Sequence, residues 1–296
     1  MKKIGFIGVG VMGKPMVRNL MKAGYEVAVY ARAKAKVEDV ISEGALFQES
    51  IADCVKNRDA VITMVGFPQD VEEVYFDSGN ILDSAAPGTY LIDMTTTSPM
   101  LSEKIYEEGA KRGFHVLDAP VTGGDTGAEE GTLSILAGGD PADYEACRPI
   151  FEAMGTNINY QGKAGSGQHC KLANQILIAG ALSGVCEALT YAREKGLDMD
   201  TFLKSVSTGA AGSRQLDLLG PKIIVGDYEP GFFMKHFIKD MKLALIESNK
   251  SGLDLGILSQ VLADCEELES EGFGELGTQA LVKYYDEDHR YSGEEE

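Results

Sequence analysis

An apolar run at the very start of the chain, Lys3-Ile-Gly-Phe-Ile-Gly8, passes directly into Gly8-x-Gly10-x-x-Gly13 and then into a helical pattern. Few folds can use such a segment. Gly8 permits a tight strand-to-helix turn, Gly10 lets a backbone approach a pyrophosphate, and Gly13 lets the helix pack close to its strand. The helix N-terminus adds free N–H groups and a partial positive charge, so Val11 and Met12, between the glycines, join the cofactor-binding turn. Glycine is common, and the pattern alone could be only a turn. Its context makes it a nucleotide site: residues 4–7 read as a buried strand, and Met12, Met16 and Leu20 fall at helical spacing over 12–23. Gly24 then stops the helix before a second strand, Val27 to Tyr30.

Similar short apolar runs recur at Ala60 to Met64, Tyr90 to Asp93, His115 to Asp118 and Ser134 to Ala137, separated by helical or loop segments. This βαβ rhythm predicts a Rossmann-type, doubly wound sheet whose ligands lie at the carboxyl ends of the strands. After about residue 165 the strand signals stop and a long helical pattern runs over roughly 167–194. The chain has 296 residues, more than one hydrophobic core usually serves. The reading is α/β: an N-terminal dinucleotide-binding domain, 1–164, and an all-α C-terminal domain, 165–296, joined through a long interdomain helix. The G-x-x-x-G pair Gly180 and Gly184 on that helix allows close helix approach, and the cleft between the domains is the expected active site.

Composition excludes several classes. No apolar run nears the roughly 20 residues that span a bilayer, and the first residues belong to a strand instead of a signal peptide, so a cytoplasmic protein is expected. Five scattered cysteines without a C-x-x-C suit reduced thiols, and four scattered histidines suggest no metal site. A net charge of −19 argues against nucleic acid, which needs a basic face. Part of that charge is the tail Asp286 to Glu296, expected to be a solvated end.

Four further segments can carry chemistry. In Asp118-Ala-Pro-Val-Thr122-Gly123-Gly124, the Thr122 hydroxyl and glycine N–H groups suit a substrate carboxylate, although a plain turn is the competing reading. In Gly165-Ser-Gly167-Gln-His-Cys-Lys171-Leu-Ala-Asn174, Lys171 and Asn174 share a helix face. Lys171 is expected near the helix N-terminus, where the dipole and a desolvated cleft favour proton donation; the alternative, a solvated lysine, is weakened by its apolar neighbours. Phe232 to Phe237 leads to Lys239 and Asp240, read as the start of a helix, with Lys239 reaching cofactor or substrate and Asp240 orienting it or capping the helix. Val65-Gly66 and Thr95-Thr96-Thr97-Ser98-Pro99 follow two strands where a dinucleotide runs, with Ser98-Pro99 also reading as a helix start.

At the end of the second strand an acidic residue would hold the 2′-hydroxyl of NAD, but the chain has Tyr30-Ala31-Arg32-Ala33-Lys34. Arg32, with Ala31 beside it, suits a 2′-phosphate and favours NADP; if Arg32 and Lys34 are only solvated charges, NAD remains possible.

Together these motifs resemble the β-hydroxyacid dehydrogenase family, which includes 3-hydroxyisobutyrate dehydrogenases, tartronate semialdehyde reductases and glyoxylate/succinic semialdehyde reductases. The similarity runs from Lys3 to about Tyr285. It implies that Lys171 is the proton donor or acceptor, that Asn174 helps hold the substrate, and that Thr122, Gly123 and Gly124 bind its carboxylate. Lys239 then lies at the cofactor and substrate cleft, and the helical domain commonly forms the interface of a homodimer or homotetramer. Two departures bear on substrate choice: Thr122 stands where the family usually has Ser, and an acidic residue common in the C-terminal segment is absent from Gly274 to Leu281. The competing readings are an imine reductase on the same fold, which should lack Lys171, and a non-catalytic dinucleotide-binding module, which should lack Lys171 or the Thr122 loop. Phosphogluconate dehydrogenases share the architecture but have a longer helical part.

Overall fold

The computed structural model describes residues 1–285; the acidic tail, 286–296, lies outside the described residues. The chain forms two compact units, the first Met1–Lys171 and the second starting at Leu172.

In the first unit nine strands among the described residues form one sheet: β1 (Lys3–Ile7), β2 (Glu26–Tyr30), β3 (Leu46–Phe47), β4 (Ala60–Thr63), β5 (Tyr90–Asp93), β6 (His115–Asp118), β7 (Val121–Thr122), β8 (Leu133–Gly139) and β9 (Gly155–Gly162). Their order is β3-β2-β1-β4-β5-β6-β8-β7, with β9 also paired to β8. The six strands β3 to β6 in this order are parallel, as the βαβ rhythm predicts. Beyond β6 the pattern changes: β8 runs antiparallel to β6 and β7, while β9 is parallel to β8.

The two-residue period of a strand divides its side chains between two cores. Ile4, Phe6, Val27, Val29, Ala60, Ile62 and Ile92 pack on one face of the sheet. Their neighbours Ile7, Ala28, Val61 and Leu91 pack on the other, with Tyr75, Ile81 and Ile105 from the crossing helices. This two-sided burial explains why the strands read as continuous apolar runs instead of alternating ones.

The second unit is helical. It contains most of the helix Ser166–Glu194, then Met199–Val206, Arg214–Val225, Met234–Lys250 and Gly256–Ser270. Ala179, Leu182, Cys186 and Leu189 pack with Phe237, Met241, Val261 and Cys265 in its core. The helix Ser166–Glu194, at 29 residues, is long and apolar enough to cross a membrane by length and composition, contrary to the reading that no segment reaches that scale. That reading counted uninterrupted apolar residues, whereas Gly, Ser and Thr between apolar turns leave the average high. Leu172, Ala179, Leu182, Val185, Cys186 and Leu189 of this helix are packed into the second unit's core.

Candidate active site

In-register pairing places one residue from each central strand in a row at the carboxyl edge of the first unit's sheet. Tyr30, Ile7, Thr63, Asp93 and Asp118 are successive partners across β2, β1, β4, β5 and β6. The candidate residues follow within a few positions: Ala31 and Arg32, Gly8 to Gly13, Val65 and Gly66, Thr96, and Thr122 to Gly124. Parallel strands therefore deliver four of these loops to one edge, while Thr122 to Gly124 stand at the end of β7, which pairs antiparallel with β8.

The first loop fits a dinucleotide pyrophosphate. Gly8 has φ +97°, and a Cβ there would strike the Met64 carbonyl; a Cβ on Gly13 would strike the carbonyl of Gly8. Exposed Gly10, by contrast, has nothing within 4 Å of its missing Cβ. The helix Gly13–Lys22 has no side-chain cap and no acidic residue of its own in its first turn, which leaves its terminal amides to a phosphate, while Asp39 pairs with its Lys14 at 2.9 Å.

Next along the edge is a buried polar network. Thr63 Oγ1 donates to Asp93 Oδ1 at 2.7 Å and the Thr95 amide donates to the same oxygen at 3.1 Å. The Val65 amide donates to Thr95 Oγ1 at 3.0 Å, tying the loops after β4 and β5 together. Thr95 and Thr97 are buried, whereas Thr96 between them is partly open. Asp93 Oδ2 is buried with no hydrogen-bond partner among the described residues. Burial pushes the Asp93 carboxyl up to about 6, opposed by the bonds from Thr63 and Thr95.

Asp118 organises the other side. Its Oδ1 accepts from the Gly165 amide at 2.8 Å and its Oδ2 from the Gln168 amide at 2.9 Å, at the start of the helix Ser166–Glu194. Burial raises this carboxyl and the two amides lower it, with burial the larger effect. Thr122 is the last residue of β7, half-buried, and leads into exposed Gly123 (φ +133°) and Gly124 (φ +68°) before the helix Gly124–Glu130. Lys171 is 7% exposed. It is the sixth residue of its helix, past the first turn, where the helix dipole has fallen off. Burial, and not the helix end, therefore defines its surroundings.

In the second unit Asn174 Nδ2 donates to Gln175 Oε1 at 2.8 Å, and Gln175 Nε2 donates to Asp240 Oδ2 at 2.7 Å. Lys239 Nζ lies 3.0 Å from Asp240 Oδ1 as an ion pair. The sequence reading set Lys239 and Asp240 at a helix start; instead they are the sixth and seventh residues of Met234–Lys250, whose N-cap is Phe233. Asp240 thus caps nothing and holds Lys239 and Gln175.

Arg32, its side chain 67% exposed, pairs with Asp70 Oδ1 at 2.6 Å and Glu73 Oε2 at 3.1 Å. Asp70 Oδ2 also accepts the Phe67 amide at 3.0 Å, at the start of the helix Pro68–Phe76. Sequence reasoning assigned no role to Asp93, Gln168, Gln175 or Asp70. A polar residue closing an apolar strand was the available sign for Asp93; the others become visible only through their partners.

A glycine turn under a helix N-terminus, on the carboxyl edge of a doubly wound sheet, defines a dinucleotide-dependent protein. Residues 3–162 match the family model for the NAD-binding domain of 6-phosphogluconate dehydrogenase. Residues 165–285 match that described as NAD-binding of NADP-dependent 3-hydroxyisobutyrate dehydrogenase. The chain is 49% identical over 284 residues to the oxidoreductase YkwC of Bacillus subtilis, covering 96% of this chain and 99% of that protein. It is 43% identical to the probable mitochondrial 3-hydroxyisobutyrate dehydrogenase-like 1 of Arabidopsis thaliana, covering 95% and 84% respectively. Among solved structures it is similar to Mycobacterium tuberculosis 3-hydroxyisobutyrate dehydrogenase with L-serine, at 27% identity and a TM-score of 0.88, covering 96% and 99%. The chain belongs to the family of NAD(P)-dependent hydroxyacid dehydrogenases that includes 3-hydroxyisobutyrate dehydrogenase, and it is an enzyme of the dehydrogenase/reductase type.

The Asp93 environment generates a pH prediction. Its folded value lies above the ordinary 3.8, so between about pH 4 and 6 this carboxyl holds its proton more fully in the folded protein than in the unfolded chain. Stability from this group is therefore present at low pH and lost as pH rises through about 6. Asp93→Asn keeps an acceptor for Thr63 and Thr95 but cannot ionise. Thermal unfolding should show the variant gaining on the wild type as pH rises through this window; a difference independent of pH would reject the account.

Proposed function

We propose that the chain is an NADP(H)-dependent oxidoreductase acting on a small β-hydroxy acid or the corresponding aldehyde acid, of the 3-hydroxyisobutyrate dehydrogenase or semialdehyde reductase kind. The observation that carries this reading is Lys171, a buried lysine in Gly167-x-x-x-Lys171-x-x-Asn174. A lysine loses hydration on burial, so its place in an apolar helix calls for a chemical role. The nicotinamide cofactor, when bound, supplies or accepts hydride at the carbon carrying the substrate oxygen. Lys171 Nζ gives that oxygen its proton in reduction and takes it back in oxidation. The Thr122 hydroxyl and the amides of Gly123 and Gly124 hold the carboxylate, fixing the reacting carbon. Asn174 holds the rest of the substrate, and Lys239 supplies positive charge to substrate or cofactor. Gly8, Gly10, Val11, Met12 and Gly13 hold the pyrophosphate, with Val65, Gly66 and Thr96 along the same edge.

Glyoxylate, succinic semialdehyde, tartronate semialdehyde and methylmalonate semialdehyde, each assayed with both cofactors, test the reading directly; turnover of none rejects it in favour of a binding module. With the best substrate, Lys171→Ala should retain cofactor binding and lose about 10²-fold or more in kcat, the scale of a general acid. Undiminished kcat would remove Lys171 from the mechanism.

The preference for NADP rests on Arg32 and on the absence of an acid over residues 31–36. Steady-state kinetics should give a higher kcat/KM with NADPH than with NADH, and Arg32→Ser should lower it about tenfold or more for NADPH alone, the loss of one charge-assisted contact. An NADH preference in the wild type would overturn the assignment.

The same reading includes a homodimer or homotetramer in the cytoplasm. Five free cysteines suit a reducing compartment. On the helix Ser166–Glu194, Leu177 (75% exposed) and Tyr191 (65%) lie seven residues either side of Gly184, where a Cβ would meet nothing within 4 Å. Such an apolar stripe with a small residue at its centre suits a second copy of the chain. Light scattering should give a dimer or tetramer mass, reduced by Leu177→Glu; a monomeric wild type would exclude this part of the proposal.

A further inference from the structure

Gln168 is fully buried, yet it is a primary amide, and both ends of its side chain are used. Nε2 donates to the Thr95 carbonyl at 2.8 Å and Oε1 accepts from the Thr97 amide at 3.0 Å. The side chain thus grips the loop after β5 at two points, as a neighbouring strand would. Its own backbone amide donates to Asp118 Oδ2, while Asp118 Oδ1 accepts the Gly165 amide. Two two-point contacts, one from a strand end to the helix and one from the helix to a loop, meet at this residue.

Packing leaves no slack around them. A Cβ on Gly167 would strike the Leu136 carbonyl and come 2.8 Å from Asp118 Oδ2; one on Gly138 would come 2.7 Å from Asp118 Oδ1 and 2.8 Å from the Gly167 amide. The first helical turn is therefore seated directly on the ends of β6 and β8. Lys171 follows Gln168 by three residues on the same helix and shares its face.

We infer that Gln168, held by Asp118, is a positioning residue that fixes Lys171 relative to the Thr95–Thr97 loop and so sets the geometry of proton transfer. The inference rests on the proposed function for the role of Lys171; the clamp itself rests on the contacts alone. A general acid works only within hydrogen-bond reach, and a displacement of about 1 Å can cost 10²-fold in rate. Fastening the turn before Lys171 to the loop of the cofactor edge removes that freedom.

The clamp has a polarity that makes it testable. It needs one donor, towards the Thr95 carbonyl, and one acceptor, towards the Thr97 amide. Gln168→Met removes both. Gln168→Glu reproduces both when protonated, its O–H donating to Thr95 and its other oxygen accepting from Thr97. When ionised it sets a carboxylate against a carbonyl, with the Asp118 and Asp93 carboxyls at the adjacent strand ends and Lys171 one turn on.

The experiment uses the full chain, with the best substrate from the aldehyde-acid screen. Gln168→Met should lose about 10²-fold in kcat at every pH with a smaller change in substrate KM, and its solvent deuterium isotope effect on kcat should rise as proton transfer becomes limiting. Gln168→Glu should approach wild-type kcat at low pH and lose it, relative to the wild type, as pH rises from about 5 to about 8, since burial lifts a carboxyl above its reference value. Without substrate, hydrogen exchange at the Thr97 amide should be faster in Gln168→Met, and the melting temperature of Gln168→Glu should fall against the wild type over the same pH range. Wild-type kcat and isotope effect in Gln168→Met, or a Gln168→Glu profile parallel to the wild type, overturns the positioning role. Unchanged Thr97 exchange and a parallel melting profile overturn the clamp even if no substrate is turned over, so its failure stays separate from that of the proposed function.

Discussion

The Asp118 carboxylate is the contact on which the rest of the first unit's chemistry depends. It closes strand β6, is buried, and spends one oxygen on Gly165 and the other on Gln168. A buried carboxylate is costly unless its lone pairs are met, and the unpaired amides of a helix start are costly unless something accepts from them. Each deficit here answers the other. These bonds tie a strand end to a helix start, and the register of the sheet carries that connection to Asp93, Thr63 and the glycine turn beyond Ile7.

This arrangement also answers a difficulty posed by the net charge of −19. An enzyme of the proposed kind, with a pyrophosphate and a substrate carboxylate at one sheet edge, should not leave bare carboxylates there. The two that end β5 and β6 are neither exposed nor bare. Burial raises both towards the neutral form, while amides and a threonine hydroxyl absorb the charge of what ionises. Much of the remaining acidity among the described residues stands on exposed side chains such as Glu49 and Glu275, where salt screens it within about 10 Å.

Much of the fold was legible because parallel strands buried on both faces leave continuous apolar runs, and five such runs were read within a residue or two of their observed ends. The short strands β3 and β7 were missed because two residues carry no periodicity. Strand β9, Gly155–Gly162, was missed because its exposed Asn157, Asn159 and Gln161 give it a loop's composition. The site was legible where a residue type is unusual for its position: glycines at a turn, an arginine in place of an acid, a lysine among apolar neighbours. It was not legible where function lies in pairing. Gln168 and Gln175 look like ordinary helix residues until their partners, 71 and 65 positions away, are known. Lys239 was misplaced at a helix start because Phe232 to Phe237 reads as a hydrophobic approach, whereas Met234 to Ile238 already form the first turn.

The pairing of Arg32 with Asp70 and Glu73 bears on cofactor choice in a way that residue identity alone cannot. Two acids beside the arginine look at first like an argument against a 2′-phosphate, since they occupy its charge and repel the ligand. The magnitudes are compatible with the proposed NADP preference. Arg32 and Glu73 are more than half exposed, and ion pairs in such settings contribute about 0–1 kcal/mol, so releasing the guanidinium costs little. A 2′-phosphate offers a denser charge and bidentate geometry that either carboxylate alone must match. Asp70 is the more firmly held of the two, through its bond to the Phe67 amide, and remains satisfied when the guanidinium leaves. Under the proposed NADP preference the acids would hold an exposed arginine in one place in the cofactor-free chain, so that less side-chain entropy is lost on binding.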